Sequence, residues 1–125
     1  MNTRLLLAAS AVVLGAAGIG ASFLPDELLE ALGAAPATPL RLVVQLLGAL
    51  LFGFAMVNWA ARGNAMGGIY GRPIAIGNLT HFLVGGLALS KAVLSGETDP
   101  VVMVASAVYV LFAAGFALVV FRSPV

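Results

Sequence analysis

The sequence contains no cysteine and a single histidine, and charged residues make up only 9% of its 125 residues. The absence of cysteine excludes disulfides, thiolate metal sites and iron–sulfur clusters. A formal net charge of +1, with no basic stripe, argues against nucleic-acid binding. Hydrophobic residues reach 62%, whereas a soluble domain is about half apolar and about a quarter charged. We therefore expect a protein embedded in a lipid bilayer.

Long apolar runs define the predicted architecture. About 20 mostly apolar residues cross a bilayer as a helix, and these runs lack the strict alternation of barrel strands. The first run resembles a signal peptide in its flanks, but it exceeds the usual apolar length of about 7–15 residues, so we expect it to be retained. The predicted fold class is an all-α bundle of four transmembrane helices in one integral membrane domain over residues 1–125. The predicted spans are residues 5–24, 40–61, 73–94 and 101–121, followed by breaks at Pro25, residues 63–71, Ser95 with Gly96, and Pro124.

The stretch "PDELLEALGAAPATP" between the first two spans predicts a short amphipathic helix. Pro25 suits a helix start, the acidic residues favour the first turns, and Gly33 can end the helix. Its leucines form an apolar stripe. We expect this helix to lie at the membrane interface, or alternatively to act as a lid over an opening between helices.

Basic residues orient the predicted spans. With four crossings, the termini and the middle loop share one side, which holds Arg4, Arg62, Arg72 and Arg122 and no acid. The other side holds two basic residues and all five acids. For a multi-pass protein of the cell (inner) membrane, the positive-inside bias therefore predicts that both termini are cytoplasmic.

The third predicted span has two different faces. Set out at about 100° per residue around His81, one face is small and polar and the other is bulky and aliphatic. A membrane helix with this pattern packs its small face against neighbours and turns its leucines to lipid. The small face comprises Gly77, Asn78, His81, Gly85, Ala88 and Ala92, and the aliphatic face comprises Ile76, Leu79, Leu83, Leu87 and Leu94.

A polar cluster is predicted in the cytoplasmic half of the bundle. His81 lies roughly 12 Å from the cytoplasmic end of its helix at about 1.5 Å per residue. We expect Asn78 and Asn58 to lie nearer that end and Tyr109 slightly deeper than His81. Two roles stay open for these residues: hydrogen bonds that hold helices together, or binding of a ligand or proton.

The middle loop, "NWAARGNAMGGIYGRP", combines glycines with flanking arginines. Trp59 and Tyr70 match the aromatic belt at a membrane surface. Arg62, Arg72 and exposed backbone N–H groups could hold an anionic headgroup, or the same residues could serve only as a positively charged anchor and flexible turn.

Acidic residues are absent from all four spans, which removes paired-carboxylate catalysis, carboxylate-rich metal sites and the embedded carboxylate of small multidrug exporters. The threonine/serine-phenylalanine motif of small fluoride channels is also absent. We expect no enzymatic activity, no metal site and no cofactor. Haem would need a second copy of His81, or Met56, Met66 or Met103, to complete an axial pair.

In layout the chain resembles the small bacterial four-helix membrane proteins grouped as DoxX-like or as related domains of unknown function. The segments "NWAARG", "GGIYGRP" and "NLTHF" lie around the middle loop. The resemblance implies a fold, not a function.

These observations lead to three alternative expectations. The first is a non-catalytic membrane protein that binds a lipid or lipophilic small molecule in the cytoplasmic half of the bundle. The second is a structural or accessory subunit of a larger membrane complex or a homo-oligomer, supported by small-residue stripes at residues 49–53 and 113–117. The third is a small channel or transporter, although few polar residues are present to line a water path. The expected ligand-binding residues are Asn78, His81, Asn58, Tyr109, Arg62, Arg72 and Tyr70.

Overall fold

The computed structural model describes residues 2–66 and 68–122, and this part of the chain is all-helical. Gly67 in the predicted loop and Pro124 after the last predicted span lie outside the described residues. Four of the helices are long and apolar enough to cross a membrane, which makes the chain a multi-pass membrane protein. The helices are α1 (Thr3–Phe23), α2 (Pro25–Ala31), α3 (Thr38–Ala61), α4 (Gly71–Leu94) and α5 (Pro100–Arg122).

The observed helices confirm the predicted fold class, because four long helices and one short helix occur in the predicted order. The short helix α2 begins at Pro25, and Gly33 after its end has a φ of +80°, a conformation that favours glycine. At the start of α1, the Asn2 side chain accepts a hydrogen bond from the Leu5 backbone N–H at 3.1 Å.

The chain divides into two compact units. The first unit is Leu7–Arg62, and the second unit combines Met1–Leu6 with Gly63–Val125. The first unit therefore contains α2, α3 and most of α1, whereas α4 and α5 belong to the second unit.

In the first unit, α1 and α3 run antiparallel and meet along small residues. Leu7, Leu14 and Ala21 are buried at intervals of seven on α1, which is the spacing of helices that pack at a shallow angle. The short helix α2 packs on the same core, because Leu29 is buried against Ala21 and Val44. An ion pair also joins α2 to α3, with Arg41 Nε 2.8 Å from Asp26 Oδ1.

In the second unit, α4 and α5 form an antiparallel hairpin. The aliphatic face predicted for α4 is largely exposed, as expected for lipid contact: Ile76, Leu83, Leu87 and Leu94 are exposed and Leu79 is partly buried. On the opposite face Asn78 is fully buried. Ala88 differs from the prediction, because it is exposed; the buried face follows the large ring of Phe82 rather than the small side chains alone.

Candidate functional site

A histidine–tyrosine pair joins the middles of α4 and α5. His81 Nε2 and the Tyr109 hydroxyl oxygen lie 2.8 Å apart, which is a strong hydrogen-bonding distance. Both side chains are partly buried. The structure therefore brings together two of the predicted site residues from positions 28 apart in sequence.

The position of Tyr109 is set by an aromatic core and a glycine. The fully buried Phe82 ring lies edge-on to Tyr109 with centroids 4.9 Å apart, and edge-on to His81 at 5.1 Å. A Cβ at Gly85 would lie 2.7 Å from Tyr109 Cε2, so a larger residue would displace the ring. Gly85 thus belongs to the site although it offers no functional group.

Two more hydrogen bonds connect α4 to α5 on either side of this pair. Ser90 Oγ and Ser106 Oγ lie 3.0 Å apart, and the Arg72 guanidinium donates to the Val120 carbonyl oxygen at 3.1 Å. Because lipid offers no competing donors or acceptors, such bonds hold membrane helices together. Arg72 is therefore engaged in the second unit at the Gly71 end of α4.

Asn78 is fully buried and donates from Nδ2 to the Ile74 carbonyl oxygen of its own helix at 3.0 Å. This bond gives the buried side-chain amide an acceptor within its own helix. The prediction that Asn78 faces inward is confirmed by its burial, and its role toward a ligand stays a prediction.

Asn58 belongs to the first unit, where it joins α3 to α1. Its Nδ2 donates to Ser10 Oγ at 3.0 Å, and the Ser10 hydroxyl donates to the Leu7 carbonyl oxygen at 2.9 Å. Asn58 and Ser10 are both fully buried. Sequence reasoning missed this role of Ser10, because the burial pattern of α1 does not distinguish a serine from the small residues around it.

The predicted anion-binding residues of the middle loop have contacts of their own. The Arg62 guanidinium carbon lies 4.0 Å from the centre of the Trp59 ring, a cation–π contact within the first unit. Tyr70 is 76% exposed, as suits an interfacial aromatic residue. The Gly68 N–H donates to the Ala65 carbonyl oxygen at 3.2 Å, so this backbone donor is used in the turn.

The chemistry available to these side chains is hydrogen bonding. Within residues 2–66 and 68–122, no group of three or more histidine or acidic residues is arranged to hold a metal ion. The Ser106 hydroxyl bonds to Ser90 rather than to His81. The Tyr109 hydroxyl has two lone pairs and one proton, so it can bond His81 and still accept from a ligand.

Comparison of the chain with protein-family models, curated proteins and solved structures finds no match. The resemblance to DoxX-like proteins therefore stays a prediction drawn from layout.

Proposed function

We propose that this chain is a non-catalytic membrane protein that binds a lipid or another lipophilic small molecule. The observation that carries the proposal is the partly buried His81–Tyr109 pair in the middle of two candidate membrane spans. Ionisable side chains inside a membrane are energetically expensive and are usually tied to a function.

The polar end of the ligand would bind at this pair. The Tyr109 hydroxyl accepts a hydrogen bond from the ligand, while His81 fixes the direction of that hydroxyl. Asn78, of the same unit, completes the proposed polar group, and Arg72 and Tyr70 of that unit are proposed to meet an anionic portion near the surface.

For orientation we propose the cell (inner) membrane, with both termini and residues 63–70 on the cytoplasmic side. The support is the distribution of basic residues, since four of the six lie on that side. In this orientation we propose that the ligand extends from the His81–Tyr109 pair, near the middle of α4 and α5, into the cytoplasmic half of the spans.

Native mass spectrometry of the detergent-purified protein tests the proposal. We expect a stoichiometric lipophilic adduct that is lost in both His81→Ala and Tyr109→Phe. Thr80→Ala is the matched control, because Thr80 is the exposed neighbour of His81 and its hydroxyl bonds the Ile76 carbonyl of its own helix. A bare wild-type protein, or an adduct unchanged in His81→Ala, would assign the pair to helix packing alone.

A second candidate is a structural subunit of a homo-oligomer or larger membrane complex. Its support is the exposed small-residue stripe of α3, where Ala49 and Gly53 are exposed and a Cβ at Gly53 would meet no atom within 4 Å. Small residues allow close helix contact in membranes. Blue-native electrophoresis separates the candidates: a defined large species that dissociates in Gly53→Leu favours the subunit, and a small species favours the binding protein.

A further inference from the structure

The first unit contains an apolar cavity of about 380 Å³, widely open on one side, lined by the C-terminal half of α1, by α2 and by α3. This volume lies within the range of about 300–1,000 Å³ typical of small-molecule sites. Apart from one residue, its walls are alanine, glycine and leucine. The exception is Glu27, the one charged residue among those that line the cavity.

Glu27 brings an exposed carboxylate to the lining of this cavity. Its neighbour Asp26 is paired with Arg41 through two hydrogen bonds of 2.8 and 3.2 Å, so their charges cancel. Among residues 2–66 and 68–122, no ion pair or side-chain hydrogen bond involves Glu27. The carboxylate lies on α2, between the first two candidate spans.

The apolar walls alone cannot select a ligand inside a bilayer, because lipid tails are as apolar as leucine. Selection must come from the one charged residue of the lining, Glu27. A carboxylate prefers a cation, and a cation attached directly to an alkyl chain places its charge at Glu27 when the chain fills the cavity. We propose that this cavity binds a single-chain amphiphile with an ammonium head.

This inference goes beyond the proposed function, because it concerns a different unit, different residues and a different ligand charge. The test is titration of octadecyltrimethylammonium into the protein in phosphatidylcholine nanodiscs, followed by native mass spectrometry. Octadecanol serves as the uncharged probe of equal chain length. We expect one bound equivalent of the ammonium probe and much weaker binding of the alcohol.

Two variants with matched controls separate the head and tail contacts. Glu27→Gln should weaken binding of the ammonium probe by roughly tenfold, because it removes the charge–charge attraction between the carboxylate and the quaternary ammonium. Glu30→Gln removes an exposed charge from the same helix outside the cavity lining and should leave binding unchanged.

Gly20→Leu should abolish binding by filling the cavity, since a Cβ there meets no atom within 4 Å. Ala16→Leu adds a side chain to an exposed position of α1 outside the lining and should have no effect.

Equal binding of octadecanol, or equal losses in Glu27→Gln and Glu30→Gln, would overturn the proposal, because the site would then lack head-group selection. His81→Ala should retain the ammonium probe. Loss of the co-purifying adduct therefore tests the His81–Tyr109 site, and loss of ammonium-probe binding tests the cavity at Glu27.

Discussion

At Gly18 on α1 and Gly48 on α3, the backbones of the two helices are in direct contact. A Cβ built on Gly18 would lie 2.8 Å from the Gly48 carbonyl oxygen, and a Cβ built on Gly48 would lie 2.8 Å from the Gly18 carbonyl oxygen. Neither obstacle is a flexible side chain, so any larger residue must push the helices apart. This reciprocal contact sets the distance between α1 and α3 and therefore the register of the other contacts between them.

Gly48→Ala should destabilise the first unit by about 1–3 kcal/mol, because overpacking forces backbone shifts. Gly53→Ala, on the same helix with open space at its Cβ, should be neutral or stabilising through the better helix propensity of alanine. Thermal unfolding in detergent measures both variants. Equal stability of the two would mean that the close approach of Gly18 and Gly48 does not constrain the fold.

Ser10→Ala should lower the free energy of unfolding by about 1–3 kcal/mol, because it removes the acceptor of the buried Asn58 amide. Ser95→Ala is the control, since Ser95 is exposed at the end of α4. Chemical unfolding followed by circular dichroism gives both values. A loss in Ser95→Ala as large as that in Ser10→Ala would contradict the assigned contact.

Tyr109→Phe should destabilise the protein by about 1 kcal/mol, the usual worth of a hydrogen bond between membrane helices. The same substitution should have little effect in a His81→Ala background, because the bond is already lost. Tyr70→Phe, at a 76% exposed position, should change nothing. The double-mutant cycle measures the coupling directly, and additive effects would show that the two side chains do not interact.

The lack of native cysteine makes the proposed orientation directly testable. Thr98→Cys should react with a membrane-impermeant maleimide in intact cells, whereas Asn64→Cys should react only after permeabilisation. Both positions are exposed between helices, and the unmodified protein supplies a background without thiols. The opposite labelling pattern would invert the topology.

The amino-acid sequence by itself determined the helices of this protein. Apolar runs long enough to span a bilayer, ended by breaks such as Pro25 and Ser95, placed α1, α3, α4 and α5 close to their observed limits, because lipid forces the backbone to satisfy its own hydrogen bonds. On α4, the sequence also predicted which face is buried: the polar face that contains Asn78 is buried, and the aliphatic face that contains Leu87 is exposed.

Only the tertiary structure decided which polar side chains meet. The sequence proposed one cluster of polar residues, whereas the structure assigns His81 to Tyr109 and Asn58 to Ser10, each within its own unit. A helix pattern fixes the angle of a residue around its own axis, but the partner depends on how far one helix slides along another. In the first unit that offset is set by the close approach of Gly18 and Gly48, a backbone contact that no side-chain pattern reveals.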